Sequence, residues 1–484
     1  MLLTGAQYRE SLNDGREVWL DGERVRDVPR HPAFKPVVEA RARIYDMAHE
    51  EATRAVMAYA DPKGGEPQAV PNKPPVSKDD WRAKRRWVDA VMADLGGVIL
   101  RVGDETVGGL WSLLDGRDVL DSVDPRFGAN IALQVELART QDLMTVSANT
   151  DPKGDRSKRP QEQDPDMLLH VVRETDAGII VRGAKYETAA AYAHQAFVKP
   201  TIANWGDALL SDYAVGFVCK MNAPGLKHIC RSSYAHGLNP ADYPITTRLD
   251  EVDSLIVFED VLVPWEQVLF YRHTRAAAFI RSMLHRYTGF PFLQRLERVA
   301  DLLIGTAIHN ARQTGLDKQQ AVREKLATLV CYRESINAFL TACIDLAETS
   351  PAGLAMPHQS TFYAGRTLAC AKLPEMMHLA RELCGGQICV TPDAAAFADP
   401  ETKAWLEKYY TVNEAWKADD RRRLLAFARD LLNGTGAGHR TTFHLFAQSP
   451  PYAHLNAVYQ TFDWSEPLAF VRTAAGLSDR VMKD

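Results

Sequence analysis

Side chains able to do chemistry are sparse in this sequence, and several familiar arrangements are absent. Seven cysteines (Cys219, Cys230, Cys331, Cys343, Cys370, Cys384 and Cys389) are scattered without a CxxC pair. That spacing supports neither a disulfide framework nor a zinc knuckle, and no metal site is expected. The thiols read as buried groups in a reducing compartment. No GxGxxG follows a strand pattern, so a nicotinamide site of the Rossmann type is unsupported and reducing equivalents must come from outside. His194 and His228 lie in or near predicted strands, where packing or surface roles are expected, and Trp205 reads as a core aromatic. The Gly385-Gly386 pair after a helical stretch reads, taken alone, as a helix C-cap.

The elements that must position any site alternate between helix and strand. Residues 34–60 have helical spacing, and Ser77 with Asp80 resembles a capping box that opens a helix through Trp81, Trp87 and Val91 until Gly96-Gly97. A further helix is expected from about Ala129 to Leu143. The segment NTDPKGDRSKRPQEQDPD that follows is too polar for a core and reads as a surface loop. ETDAGIIVRGAKYETA (174–189) and DEVDSLIVFEDVLVPWEQVLF (250–270) alternate apolar and polar residues and read as strands. Leu296, Val299, Leu303 and Ala307 then form a helical stripe, and Asp419 is expected to cap a helix that carries Leu424, Leu425, Phe427, Ala428 and Leu431. The order is helices, a strand module, helices.

Composition narrows the class. With 57 basic and 62 acidic residues the chain has no basic stripe for nucleic acid. No run reaches the roughly 18 apolar residues of a membrane helix. The opening MLLTGAQYRESL lacks the regions of a signal peptide, so a cytoplasmic protein is expected.

Over LTGAQYRESLNDGREVWLDGERVRDVPRHPAF, DLMTVSANTDPKGDRSK, GIIVRGAKYET, PGLKHICR and LDEVDSLIVFEDVLVPWEQV, the chain resembles the oxygenase component of two-component 4-hydroxyphenylacetate 3-hydroxylases. That family is related to 4-hydroxybutyryl-CoA dehydratase. The resemblance implies an α+β, mainly α, acyl-CoA dehydrogenase-like architecture. Its parts would be an N-terminal helical domain (1–145), a β-barrel (146–272) and a C-terminal four-helix bundle (273–484), assembled as a homotetramer. It also implies FAD, used as FADH2 (FMN being the alternative), a separate flavin reductase, and O2 as co-substrate. The expected reaction is hydroxylation of a small aromatic or nitrogen-heteroaromatic substrate through a flavin C4a-hydroperoxide. Alternatives on the same fold are a flavin-dependent dehydrogenase or desaturase and a non-oxygenating lyase. The dehydratase's iron–sulfur cluster would need cysteines where Arg101 and Glu105 stand, so that version has no ligands.

Carried over by residue, the resemblance assigns flavin contacts to Ser147, Ala148, Asn149, Lys153, Arg156, Thr188 and the segment Pro450, Pro451, Tyr452 and Ala453. Cations such as Lys153, Arg156 and Lys158 suit a pyrophosphate, though they equally suit a solvated loop. Cys384–Gln387 resembles a turn that approaches a neighbouring subunit's cofactor. Substrate contacts fall on Arg101, Glu105 and Thr201, and catalytic roles on Arg101, Glu105, Ser147 and His285. Two positions depart from the family pattern: Glu105 stands where a Tyr belongs and Ser147 where a His belongs. Ser147 cannot be the base that a neutral His supplies. Glu105 either becomes a base through burial or pairs silently with Arg101. A carboxylate there favours a substrate with an N–H or cationic group, and Arg101 is expected to fork an anionic one.

Overall fold

A computed structural model describes residues 2–61, 64–155, 157–200, 208–446 and 451–477, with the backbone alone over 275–285. Within that span the expected order of elements holds, and the chain is mainly helical. Ser77 and Asp80 form the anticipated capping box on the helix Lys78–Leu95, which Gly96 ends in the left-handed conformation. Asp419 does not cap its helix. Lys417 is the N-cap of Ala418–Leu432, and Asp419 sits in the first turn, where its charge meets the positive end of the helix dipole.

Among the described residues the strands form two large sheets and two short pairs, Ala58–Tyr59 with Gln68–Ala69 and Glu348–Thr349 with Ala355–Met356. In the larger, Gly178–Thr188 pairs antiparallel with Asp253–Pro264, setting Thr188 opposite Asp253 and Glu187 opposite Ser254. His170–Thr175 lies on one side of this pair and Leu226–Cys230 on the other. The smaller sheet joins Thr145–Ala148, Gln195–Val198, Val215–Lys220 and Val268–Tyr271 in that spatial order. Phe217 and Phe258 meet edge to face at 6.1 Å and tie one sheet to the other.

Two expectations change here. The sheets are open at their edges rather than closed into a barrel. The N-terminal stretch is also not wholly helical, because Glu17–Leu20 and Glu23–Val25 extend the larger sheet, with Glu17–Leu20 parallel to Leu226–Cys230. Covering that sheet's edge with a ribbon from the far end of the chain satisfies its backbone without closure.

Four helices (Thr274–Gln313, Gln320–Asp345, Gln359–Cys384 and Ala418–Leu432) pack as the C-terminal bundle. Leu296, Leu303 and Ala307 of the expected stripe are buried in it. The short helix Asp104–Asp115 lies against Thr274–Gln313 because Gly108 has no side chain. A Cβ there would stand 3.0 Å from the Tyr287 backbone carbon. Trp81, Trp111, Tyr287 and Phe290 seal this contact, with Trp81 and Phe290 centred 4.8 Å apart. The result is a rigid corner between helix, sheet and bundle.

Candidate active site

Arg101 stands at that corner. Gly103, at φ +94°, makes the turn that starts the Asp104–Asp115 helix, a conformation costly for other residues. Glu251, on the approach to the Asp253–Pro264 strand, accepts the backbone N–H of Leu100 and, at 2.7 Å, that of Arg101. The guanidinium is therefore delivered from a fixed backbone.

The side chain is buried and faces two carboxylates. Its Nη1 lies 3.4 Å from Glu105 Oε1, while Glu187 approaches from the neighbouring strand at 3.2 Å from Nε and 3.4 Å from Nη2. Phe292 and Phe443 flank it, their ring centres 5.7 and 5.5 Å from the guanidinium carbon. Glu105 also accepts from Arg295 Nη2 at 3.1 Å, and the same nitrogen bonds Asp104. Glu105 thus pairs with two arginines.

Electrostatics separate these carboxyls. Burial opposes ionisation of Glu105, but Arg295, a hydrogen bond with Asp104 and Arg101 outweigh it and hold the group well below the usual carboxylate range. Asp104 is pushed the other way, first by burial and then by Glu105. Burial lifts Glu187 to about 8 against the pull of Arg101, and Glu251 likewise to about 8.

The other expected residues fall into three groups. Ser147, in the Thr145–Ala148 strand, is beside the cluster. Its backbone N–H donates to Glu187, and its hydroxyl donates to Asn149 Oδ1 at 2.8 Å. Ala148 is fully buried in the same strand. Thr188 follows Glu187 and gives its hydroxyl to Asp253, whose other oxygen meets His439 Nε2 at 2.7 Å and Arg231 Nε at 2.8 Å. Lys153 and Lys158 are exposed, Lys158 lying 3.8 Å from Asp155. Pro451, Tyr452 and Ala453 begin the helix Pro451–Thr461, which packs on Gln359–Cys384. Tyr452 is 75 % exposed. Arg156, Thr201, Trp205 and Pro450 lie outside the described residues, as does the side chain of His285. Gly385 caps Gln359–Cys384 at φ +70°. His194 and His228 are structural: burial drives them to about 3 and about 4, and each ring bonds the backbone, at Met144 N–H and Met221 carbonyl.

Sequence reading missed Glu187, Arg295, Phe292 and Phe443. Glu187 had a usable signal. In a strand of period two it shares a face with Ile179, Val181 and Lys185, and all four are buried. A carboxylate on the inward face of a strand requires a partner or a task.

Around the same corner, buried polar atoms lack hydrogen-bond partners among the described residues: Arg295 Nε and Nη1, Arg366 Nε and Nη1, His444 Nε2 and Glu187 Oε1. Arg366 and Arg295 are fully buried, with guanidinium carbons 5.9 and 5.2 Å from the centre of the Phe292 ring. Unpaired buried donors are costly unless a ligand accepts from them. A flavin ring, edged with carbonyl and nitrogen acceptors and flanked by aromatic faces, fits this donor set.

Known proteins match along almost the whole chain. The model "4-hydroxyphenylacetate 3-hydroxylase N terminal" matches residues 4–270, and "4-hydroxyphenylacetate 3-hydroxylase C terminal" matches 274–476. The chain belongs to the 4-hydroxyphenylacetate 3-hydroxylase family. It is 28% identical to the 4-hydroxyphenylacetate 3-monooxygenase oxygenase component of Thermus thermophilus, over 99% of this chain and 100% of that one. It is 31% identical to the oxygenase component of a Rhodococcus 4-nitrophenol 2-monooxygenase, over 90% of this chain and 84% of the relative. The crystal structure of a 4-hydroxyphenylacetate 3-monooxygenase oxygenase component with FAD and 4-hydroxyphenylacetate superposes with a TM-score of 0.91 at 25% identity, covering 99% of this chain and 100% of that one. Membership in this family makes the chain a flavin-dependent monooxygenase.

Proposed function

We propose that this chain is the oxygenase component of a two-component monooxygenase that takes reduced FAD from a separate reductase and hydroxylates a small aromatic or nitrogen-heteroaromatic substrate with O2. The observation that carries the reading is the end-to-end family match, joined to a buried corner whose unpaired donors suit a flavin. When bound, the flavin supplies the electrons and the activated oxygen atom.

The chain's own residues do the rest. Phe292 and Phe443 offer apolar faces for a planar ring and keep water from the corner. Arg295 and Arg366 hold N–H donors ready for acceptor edges, with no reorganisation required. Arg101 already faces Glu105 and Glu187, so in this reading its work is to position those two side chains rather than to grip an anion. A substrate without a carboxylate fits that charge balance better than one with it. Ser147 contributes its backbone N–H, and its hydroxyl has no role as a base.

Outside the corner, the C-terminal helices Pro451–Thr461 and Ser465–Ala475 expose Tyr452, Leu455, Tyr459, Leu468 and Phe470. So much exposed apolar surface supports assembly with further copies, and a homotetramer is our reading. No helix among the described residues is long and apolar enough to cross a membrane. We place the enzyme in the cytoplasm, where its free thiols stay reduced.

The test is to supply a flavin reductase, NADH and FAD and to screen phenols, indoles and pyrroles for hydroxylated products. Product formation that depends on both this chain and the reductase supports the reading. Reduced flavin oxidising at its protein-free rate with every compound would refute it.

A further inference from the structure

Replacing a ring hydrogen by hydroxyl releases a proton, and removing an O–H or N–H proton from the substrate makes its ring more electron-rich. A dry site needs an internal acceptor for such a proton, held within hydrogen-bond reach. Most candidates in this corner are already engaged. Glu105 is committed to Arg101 and Arg295. Asp104 bonds Arg295 and shares a hydrogen bond with Glu105. Glu251 accepts from two backbone amides. Asp253 is taken by Thr188, Arg231 and His439. His444 is driven down to about 4, chiefly by burial, and its Nδ1 is tied to the Arg440 carbonyl at 2.7 Å.

Glu187 differs. It is buried, and Arg101 Nη2 and the Ser147 amide hold it from two sides. Its Oε1 nevertheless has no hydrogen-bond partner among the described residues, since its 3.2 Å approach to Arg101 Nε is poorly aligned. It lies next to the position where the family pattern sets a histidine and this chain has Ser147. We infer that Glu187 is the proton acceptor of this enzyme, receiving at Oε1 the proton of a weakly acidic O–H or N–H on the substrate ring. The substrate's X–H bond breaks, its electron pair stays on X, and the proton forms the O–H bond of the Glu187 carboxylic acid. Solvent takes that proton after product leaves. No redox change occurs in this step.

The groups facing Glu187 set its titration. Arg101 favours the anion, while Glu105 from the adjacent helix and Asp253 from the paired strand favour the acid, as does burial. The balance at about 8 lets the group change state near neutral pH, as a proton acceptor must.

This inference rests on the monooxygenase reading, and two measurements keep the two separable. The first follows hydroxylation by the reductase-coupled full chain from pH 5.5 to 9.5, for the wild type, Glu187→Gln and Glu187→Asp. The wild-type rate should rise through a limb near pH 8. Glu187→Gln should lose the limb and about 10²-fold in kcat, with KM within about threefold of wild type, while Glu187→Asp keeps the limb at reduced rate. A Gln variant retaining both limb and rate while the wild type makes product would overturn the proposal and leave the function standing. The second needs no turnover: an infrared titration of resting protein should show protonated-carboxyl absorption from Glu187 and Glu251 that disappears near pH 8, and Glu187→Gln should lose the Glu187 share of it while Glu251→Gln keeps that share. Absorption undiminished in Glu187→Gln would also overturn it.

Discussion

Arg101 and its carboxylates determine what single residues reveal. Replacing Arg101 with Met removes one of the two cations paired with Glu105 and the one that faces Glu187, and breaking a buried pair costs about 3–5 kcal/mol. Chemical denaturation at pH 7 should show a loss of that size, and a loss below about 1 kcal/mol would mean the pairs are not closed in solution. The raised carboxyls add a pH dependence with a definite sign. Unfolded glutamates titrate at about 4.3, so between that pH and about 8 the unfolded chain binds fewer protons than the folded one. Stability should therefore fall as pH rises through this window. The fall should be shallower in Glu187→Gln, which keeps the shape and loses the titration. The pairing of Arg101 with Glu105 was one of two readings open from the sequence, whereas the approach of Glu187 was not legible. The two carboxyls that face Arg101 lie 4 and 86 positions away, and only the nearer one is a matter of helix spacing.

Packing of elements decides whether this corner keeps its geometry. The helix Asp104–Asp115 carries Asp104 and Glu105 to Arg295 only because Gly108 lets it touch the long bundle helix. Gly108→Val should cost about 1–3 kcal/mol by overpacking and lower the hydroxylation rate by moving Glu105 off its arginines. Gly305→Ala, in the same long helix, meets nothing within 4 Å and should be neutral or stabilising by about 0.4–1 kcal/mol. Thermal melts with rate measurements on both variants distinguish a contact effect from a general glycine effect. Local signals made the elements readable: the Ser77 capping box, the alternation in 174–189 and the stripe from Leu296 to Ala307. The barrel implied by the resemblance does not close, and strand alternation could not reveal this, because it reports which face is buried and not whether the edge strands meet. The Glu17–Val25 ribbon escaped notice for a related reason. Its strands are short, and it is stabilised as sheet by Leu226–Cys230, some 200 residues further along. Asp419 was set two residues past the true cap, because an acidic first turn and an N-cap look alike in sequence.

At the scale of the whole molecule, the homotetramer we propose would use the exposed aromatic surface on residues 451–475. Deleting the chain after Phe446 should reduce the assembly to a smaller species in sedimentation velocity and weaken FAD binding. An unchanged sedimentation coefficient per subunit mass would remove the tail from the interface. The central claim is that one atom of dioxygen enters the substrate, and isotopic labelling tests it most directly. In a single turnover with reduced FAD and heavy-isotope O2, mass spectrometry should find one labelled oxygen atom in the product. Unlabelled product, or oxygen consumed entirely to peroxide while the substrate is merely dehydrogenated, would contradict it.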